Sequence, residues 1–295
     1  MIEVTCVGVI TMDTVALVDK YPSSDERVLA EQIVRSGGGP ASVAAVALSR
    51  LGIRSAIVGT IGDDQDGQSV LEIFKKEGVD TSGISIQKGA TSGSVIVASK
   101  SESTRAISTR QPVSQVKPNE AAKKLTTNSK WVHVDHVGIN LLPDLGISRG
   151  GAVKISFDAG YGVKDFDVSK VDLFAPNDKQ MHERHPDLDL REAIKKDAET
   201  GKNLVVATMG AKGSMGYTTE LDFAEAPVIK TEIISTLGAG DVFHGALLAQ
   251  LIEGHTLKEA LTRANVVAAL SCRGLDGQSA IPTKNELIKY LEGAK

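Results

Sequence analysis

Along most of the 295 residues, short apolar runs of strand length alternate with longer segments of helical periodicity. A chain patterned this way packs as a mostly parallel sheet covered by helices on both faces, because each crossover between parallel strands takes a helix's length of chain. Val4 to Ile10 reads as the first buried strand. Ala41 to Leu51, rich in small and apolar residues, predicts a helix packed tightly on the sheet, and Gly52 ends it. Ser55 to Gly59 predicts a strand, and Gln65 to Glu77 an amphipathic helix closed by Gly78. Further strands are predicted at Trp131 to Val134, Val153 to Phe157, Leu173 to Ala175 and Leu204 to Thr208. In such an open α/β sheet, ligands sit at the carboxyl ends of the strands.

Two stretches break the rhythm. Thr14 to Val34 and Ser92 to Thr109 alternate apolar and polar residues with no helix between, and read as half-exposed antiparallel strands. Paired with each other, they predict a small flap over the strand ends; the same pattern also describes plain edge hairpins. The bulk numbers fit this picture: 41% hydrophobic and 24% charged residues are enough for a sizeable core. A formal net charge of -4 argues against a nucleic-acid surface, which needs a basic stripe. Cys6 and Cys272 both sit in apolar runs, which predicts buried thiols rather than a disulfide or a metal cluster. The start lacks a basic leader and no apolar stretch has the length of a membrane span, so a cytoplasmic protein with no membrane partner is expected.

Chemistry concentrates in three glycine-bearing turns. Gly238-Ala239-Gly240-Asp241 precedes the apolar segment Val242 to Glu253. Glycines there let the chain turn sharply, and the free amides of the helix that follows attract an anion. Asp241 repels that anion, a conflict that makes sense if the carboxylate removes a proton from a hydroxyl beside a phosphate. Alone, the run equally describes a glycine turn with an ordinary first-turn carboxylate. Gly37-Gly38-Gly39-Pro40-Ala41 leads into the first long helix, bare enough for a small ligand to lie on the main chain. Thr208 to Gly213 is the third turn. No P-loop is present, and the dinucleotide pattern fails because Phe243 stands where its third glycine belongs. His182 and His185 have metal-like spacing but read as a solvated helix end, and His244, three residues past Asp241, faces either the site or the core.

Together these turns resemble the ribokinase-like sugar kinases, often called the PfkB family, over essentially the whole chain. Ser235 to Asp241 matches that family's C-terminal signature at all but its first position. Gly37 through Arg50-Leu51-Gly52 matches the N-terminal one, and Val58 to Gly67 is similar to its Gly-x-x-Gly-x-Asp-x-x-Gly segment. The resemblance implies a three-layer α/β sandwich with a β-lid, as one domain spanning 1–295 with lid strands inserted at about 14–34 and 92–109. It implies ATP and Mg²⁺ as cofactors. Asp241 would be the general base, with the amides of Ala239, Gly240 and Asp241, in the turn begun by Gly238, forming the anion hole for the transferring phosphoryl group. Asp13, Gly38, Gly39 and Ser42 would hold the sugar. Thr208, Gly210 and Gly213 would line the nucleotide phosphates and ribose, Asn265 the base region, and Asn177 the magnesium-organising segment.

Four departures accompany the match. Gln180 replaces the glutamate of the Asn-x-x-Glu segment, leaving Asp178 or Glu183 as substitutes, and no metal ligand is assigned. Ser235 replaces an aspartate that helps shape a monovalent-cation site, and the asparagines usual at Thr11 and at Ser42 or Val43 are absent. The last two changes point away from ribose. Gly-Gly-Gly-Pro-Ala and Gly-Ala-Gly-Asp-Val-Phe-His-Gly-Ala look most similar to a subgroup with ketohexokinase-like enzymes and sulfofructose kinase. The expected substrate is therefore a ketohexose or an acidic derivative such as sulfofructose, with Arg27, Arg105, Arg110 and His136 as candidate contacts to an anionic group. Ribokinase, fructokinase, ketodeoxygluconate kinase, and a catalytically silent regulator on the same scaffold are the alternatives. A homodimer through the lid is the expected assembly.

Overall fold

The computed structural model describes residues 1–102, 104–110, 117–160, 164–220 and 222–293. The chain enters the sheet at β1 (Val4–Val7), leaves it for the lid strands β2 (Thr11–Val18) and β3 (Ala30–Gly38), and returns through α1 (Pro40–Arg50). Next come β4 (Ser55–Gly62), α2 (Gln65–Glu77) and β5 (Asp80–Gln87), then two more lid strands, β6 (Gly93–Ser99) and β7 (Thr104–Arg110). The second half runs through α3 (Glu120–Thr127), β8 (Trp131–Val134), α4 (Leu142–Leu145), β9 (Lys154–Asp158) and β10 (Leu173–Ala175). It continues with α5 (Asp178–Arg184), α6 (Leu190–Gly201), β11 (Leu204–Thr208), β12 (Ser214–Tyr217) and β13 (Ala224–Ala226), and closes with α7 (Ala239–Ile252), α8 (Leu257–Ser271) and α9 (Lys284–Gly293).

Nine strands form the central sheet in the order β13-β12-β11-β10-β9-β8-β1-β4-β5. Its neighbours pair in parallel from β11 to β5; β12 alone runs against the rest, antiparallel to both β11 and β13. The period of two along each strand sends alternate side chains to opposite faces. Val4 and Cys6 therefore join the core under α1, α7 and α8, whereas Val7, Val132 and Val134 join the core on the other face with α3 and α6. No helix among the described residues is long and apolar enough to cross a membrane.

Predicted and observed elements differ in several places, among them β12 and β13, which are absent from the predicted set. The run Val4 to Ile10 is broken at Gly8, where an added Cβ would lie 2.2 Å from the Asp135 carboxylate. The chain turns there, and β2 starts at Thr11. The edge strand β5 is absent from the predicted set because its sequence is largely polar. The lid, in the order β3-β2-β6-β7, is mixed rather than antiparallel. Its central pair, β2 and β6, is parallel because each follows a parallel strand of the main sheet through a short connector and keeps that strand's direction. Position 103, inside the predicted stretch 92–109, lies outside the described residues.

Candidate active site

Helix α7 fixes the site. It is apolar on all sides, with Val242 to Gln250 all buried, as expected of a helix enclosed in a core. Its N-terminus is thereby held at the carboxyl ends of the parallel strands. Gly238 caps it with φ of 71°, in the left-handed region, and a Cβ there would meet the Gly277 Cα at 2.8 Å. The Ala239 amide donates to the Thr236 carbonyl at 3.3 Å, while the Gly240 and Asp241 amides have no backbone partner among the described residues. The anion hole expected over Ala239, Gly240 and Asp241 thus has its two unengaged donors at Gly240 and Asp241. A Cβ added at Gly240 meets nothing within 4 Å, so the space above these donors is open.

A cavity of about 40 Å³ lies against this turn. Asp13, Gly37, Gly38 and Gly39 line one side, Leu237, Gly238 and Asp241 another, and Asp276 with Gly277 a third. The structure therefore gathers Asp13, Gly38, Gly39, Gly238 and Asp241 from opposite ends of the chain. Gly39, with φ of 95°, turns the chain from β3 into α1, and a Cβ there would lie 2.3 Å from the Val9 carbonyl oxygen. Gly38 packs against Asp13 so closely that a Cβ would stand 2.1 Å from its carboxylate. Asp13 is fixed by the Ser94 amide, which donates to Oδ1 at 2.8 Å and links β2 to β6. Burial raises the Asp13 pKa, and the Ser94 hydrogen bonds oppose that shift.

Asp241 is half-buried at the cavity wall. Its pKa is pushed up to about 8, first by burial and then by the neighbouring Asp158 charge, with His244 pulling the other way. His244 makes an ion pair with Asp158, Nδ1 to Oδ2 at 2.7 Å, beneath the first turn of α7.

Other expected sugar contacts lie elsewhere. Ser42 is fully buried on α1, 3.5 Å from the Gln278 amide nitrogen. Arg27 is exposed in the connector between β2 and β3. Arg110 is engaged by the Thr91 carbonyl and stands 3.6 Å from Asp66, which also pairs with Arg35. His136 lines a separate cavity of about 760 Å³ with Ile139, Phe157 and Phe166, on the sheet face away from α7. The reason is that the chain after β8 turns into a short 3-10 segment over that face. Arg105 does reach the site's edge, donating from Nη1 to the Thr236 hydroxyl at 3.1 Å.

Asp276 has no place in the sequence expectations. Its Oδ1 accepts from the Gln278 and Ser279 amides at 2.7 Å each, which shapes the loop behind Gly238. The Asp-Gly dipeptide marks that turn in the sequence, but nothing local ties it to Gly238.

On the expected nucleotide side, Asn177 and Thr208 form a parallel bridge at the ends of β10 and β11. Gly210, with φ of 54°, borders open space, whereas a Cβ at Gly213 would lie 2.0 Å from the Ala226 carbonyl oxygen. Asn265 is buried and donates to the Ala226 and Pro227 carbonyls at 2.8 and 3.3 Å. Its side-chain amide thus holds the chain after β13 in place. Asn177 caps α5 in a reciprocal box: its Oδ1 accepts from the Gln180 amide at 2.9 Å, and the Gln180 Oε1 accepts from the Asn177 amide at 2.7 Å. The Gln180 Nε2 also donates to the Gly160 carbonyl, a bond glutamate cannot make.

The trio His133, Asp158 and His244 is fully enclosed, with ligand-type atoms within 4.8 Å of one another. It does not suit a bound ion as it stands. Two donors at ~2.0–2.1 Å from one tetrahedral zinc lie about 3.4 Å apart, farther than the 2.7 Å between His244 and Asp158. His185 pairs with Asp197 at 2.9 Å, consistent with a structural helix end.

The family model for "pfkB family carbohydrate kinase" matches residues 1–145 and 167–284. A Lactococcus lactis ribokinase is 26% identical over 308 residues, covering 99% of both chains. A Solanum tuberosum fructokinase is 27% identical over 314 residues, covering 94% of this chain and 93% of that one. An Arabidopsis thaliana ribokinase solved with ribose and ATP superposes with a TM-score of 0.82 at 19% identity, covering 99% of each chain. At that identity the last likeness is one of fold.

Proposed function

Because the chain belongs to the pfkB family of carbohydrate kinases, we propose that it transfers the terminal phosphoryl group of ATP to a primary hydroxyl of a small ketose. The observation that carries this reading is the shared cavity. Asp13 and the bare backbone of Gly37 to Gly39 face Asp241 and the start of α7 across a space lined by carboxylates and glycine. Carboxylates accept hydrogen bonds from sugar hydroxyls, and glycines let a ring lie against the main chain. Asp13 and Asp276 orient the sugar, Asp241 takes the hydroxyl proton, and the Gly240 and Asp241 amides stabilise charge on the transferring group. Phosphoryl transfer depends on this kind of positioning and charge stabilisation. A base with a pKa near neutrality suits proton removal at physiological pH.

The nucleotide would lie along Thr208, Gly210 and the start of α7. Mg²⁺ would be held mainly through phosphates and water, as is usual for that ion, with Asp178 on the first turn of α5 as the nearby acid. Asn177 and Gln180 shape that turn, since their side-chain oxygens are engaged in the cap.

A second reading, an acidic ketose such as sulfofructose, is favoured by one observation. Arg105 crosses from the lid to Thr236, just ahead of the anion hole, where it can meet a negative group. ADP release measured against fructose, sulfofructose, fructose phosphates, ribose, ketodeoxygluconate and nucleosides separates these readings. Highest kcat/KM on a neutral ketohexose supports the first. A preference for an anionic ketose that disappears in Arg105→Ala supports the second. Sugar and ATP binding with no ADP release from any of them contradicts both.

Two exposed lid side chains support a lid-to-lid homodimer. Ile33 and Val95 point away from the core and are 66% and 59% exposed. A second copy of the chain, placed lid to lid, would cover them. Sedimentation is expected to give twice the chain mass for the wild type and the single-chain mass for the Ile33→Lys, Val95→Lys double variant. A single-chain mass for the wild type contradicts the pairing.

A further inference from the structure

We propose that His244, held as an imidazolium by Asp158, is a positioning residue whose positive charge favours ionisation of Asp241 for catalysis. The inference deepens, and rests on, the reading of Asp241 as the general base. Strand alternation places the trio. Val132 and Val134 of β8, with Ile155 and Phe157 of β9, face one side of the sheet, so His133, Ser156 and Asp158 face the other, toward α7. His244 lies one helical turn past Asp241 and meets them there. Its Nδ1 stands 2.7 Å from Asp158, and both side chains are 8% exposed.

A buried carboxylate stays ionised only when paired, and the pair here is with an imidazole that gains a proton in return. The titratable groups facing His244 are Asp158 from β9, His133 from β8 and Asp241 on its own helix; the Ala175 carbonyl of β10 faces it as well. Asp135, beyond β8, acts on Asp241. Asp158 is held well below the usual carboxylate range by the His244 charge despite burial, and His244 is raised by Asp158. His133, pushed down to about 4 by burial and by the His244 charge, stays neutral with Nδ1 3.1 Å from the Ser156 hydroxyl. One cation and one anion thus lie under the base. Asp158 resists ionisation of Asp241, and His244 favours it.

Imidazole NMR of the full chain with labelled histidine, together with pH-rate profiles, tests this. In the wild type the His244 ring is expected to be doubly protonated at pH 7, and to lose that proton in Asp158→Asn. A neutral His244 ring at pH 6 overturns the proposal. So does a stoichiometric metal ion in the purified protein. In His244→Gln, the acid limb of kcat is expected to move up by about one pH unit, the low end for loss of a nearby opposite charge. Turnover at pH 6 then falls about tenfold relative to wild type, with ATP and sugar KM values unchanged and recovery at alkaline pH. His244→Lys, which keeps a cation, is expected to restore the limb toward its wild-type position. A folded His244→Gln enzyme with an unmoved limb overturns the proposal. Asp241→Asn separates the two levels of the argument: full activity there removes the base reading, while the His244 ring state still reports on the ion pair.

Discussion

Gly238 and Gly240 stand two positions apart and serve different ends. Gly238 is needed by the fold, since its left-handed backbone and its contact with Gly277 leave no room for a side chain. Gly240 has helical neighbours and open space, so nothing in the protein itself requires glycine there. Gly240→Ala is therefore expected to fold at least as stably as wild type, with a gain of up to about 1 kcal/mol from reduced chain entropy. Its methyl group would crowd the anion hole, and turnover is expected to fall toward the roughly 10²-fold seen when one oxyanion donor is lost. Thermal melts and steady-state kinetics on one preparation check both; unchanged turnover would show that no anion approaches this turn. The sequence made both glycines visible but could not distinguish their roles, because the distinction depends on Gly277, a contact from a distant loop. The same limit applies to Gln180. Its replacement of glutamate is plain in the sequence, but the Gly160 carbonyl that an amide can satisfy is visible only in the fold.

At the scale of elements, α7 packs against α1 and α8, and its close approach to α1 is made at Gly245. A Cβ there would lie 2.7 Å from the Ala44 carbonyl oxygen and 3.0 Å from the Ala47 Cβ. The small residues of α1, Ala41, Ala44, Ala45 and Ala47, are all fully buried, and Ala44 and Ala47 form the other half of the contact. Gly245→Leu is expected to destabilise the protein by at least about 1–3 kcal/mol, the usual cost of overpacking a tight core. Calorimetry would register this as a Tm lower by several degrees; an unchanged Tm would mean that the two helices can separate freely. These helices were legible from composition and periodicity, as were β8, β10 and β11, whose apolar runs are short and sharply bounded. The lid strands were legible as strands but not in their direction. Alternation specifies a face, and the parallel pairing of β2 with β6 follows from where β1 and β5 deliver the chain.

In the whole molecule, the cavity lies where the lid strands β2 and β3 meet the starts of α1 and α7. Asp13 from the lid base, the Gly37 to Gly39 run and Asp241 are brought together by this arrangement, and the glycine signatures mark the last two in the sequence itself. Arg27, expected near the lid, and His136, expected at a strand end, have no turn or helix start to place them, and neither lines the cavity. His133 and Asp158 left a faint signal, polar residues at alternate positions in otherwise apolar strands, that gains meaning only once α7 packs above them. The central claim is that Asp241 is a destabilised carboxylate retained for proton removal. Its raised pKa means that the folded protein binds a proton the unfolded chain releases, so stability falls as pH rises from the ordinary carboxylate range toward about 8. Asp241→Asn removes that penalty. The direct measurement is therefore paired: turnover and Tm of Asp241→Asn across pH 5 to 8.5. The account predicts turnover lowered by roughly 10²–10⁴-fold with ATP and sugar binding retained, and a Tm above wild type by a margin that widens with pH. Near wild-type turnover on the best substrate, or a Tm at or below wild type throughout, would contradict it.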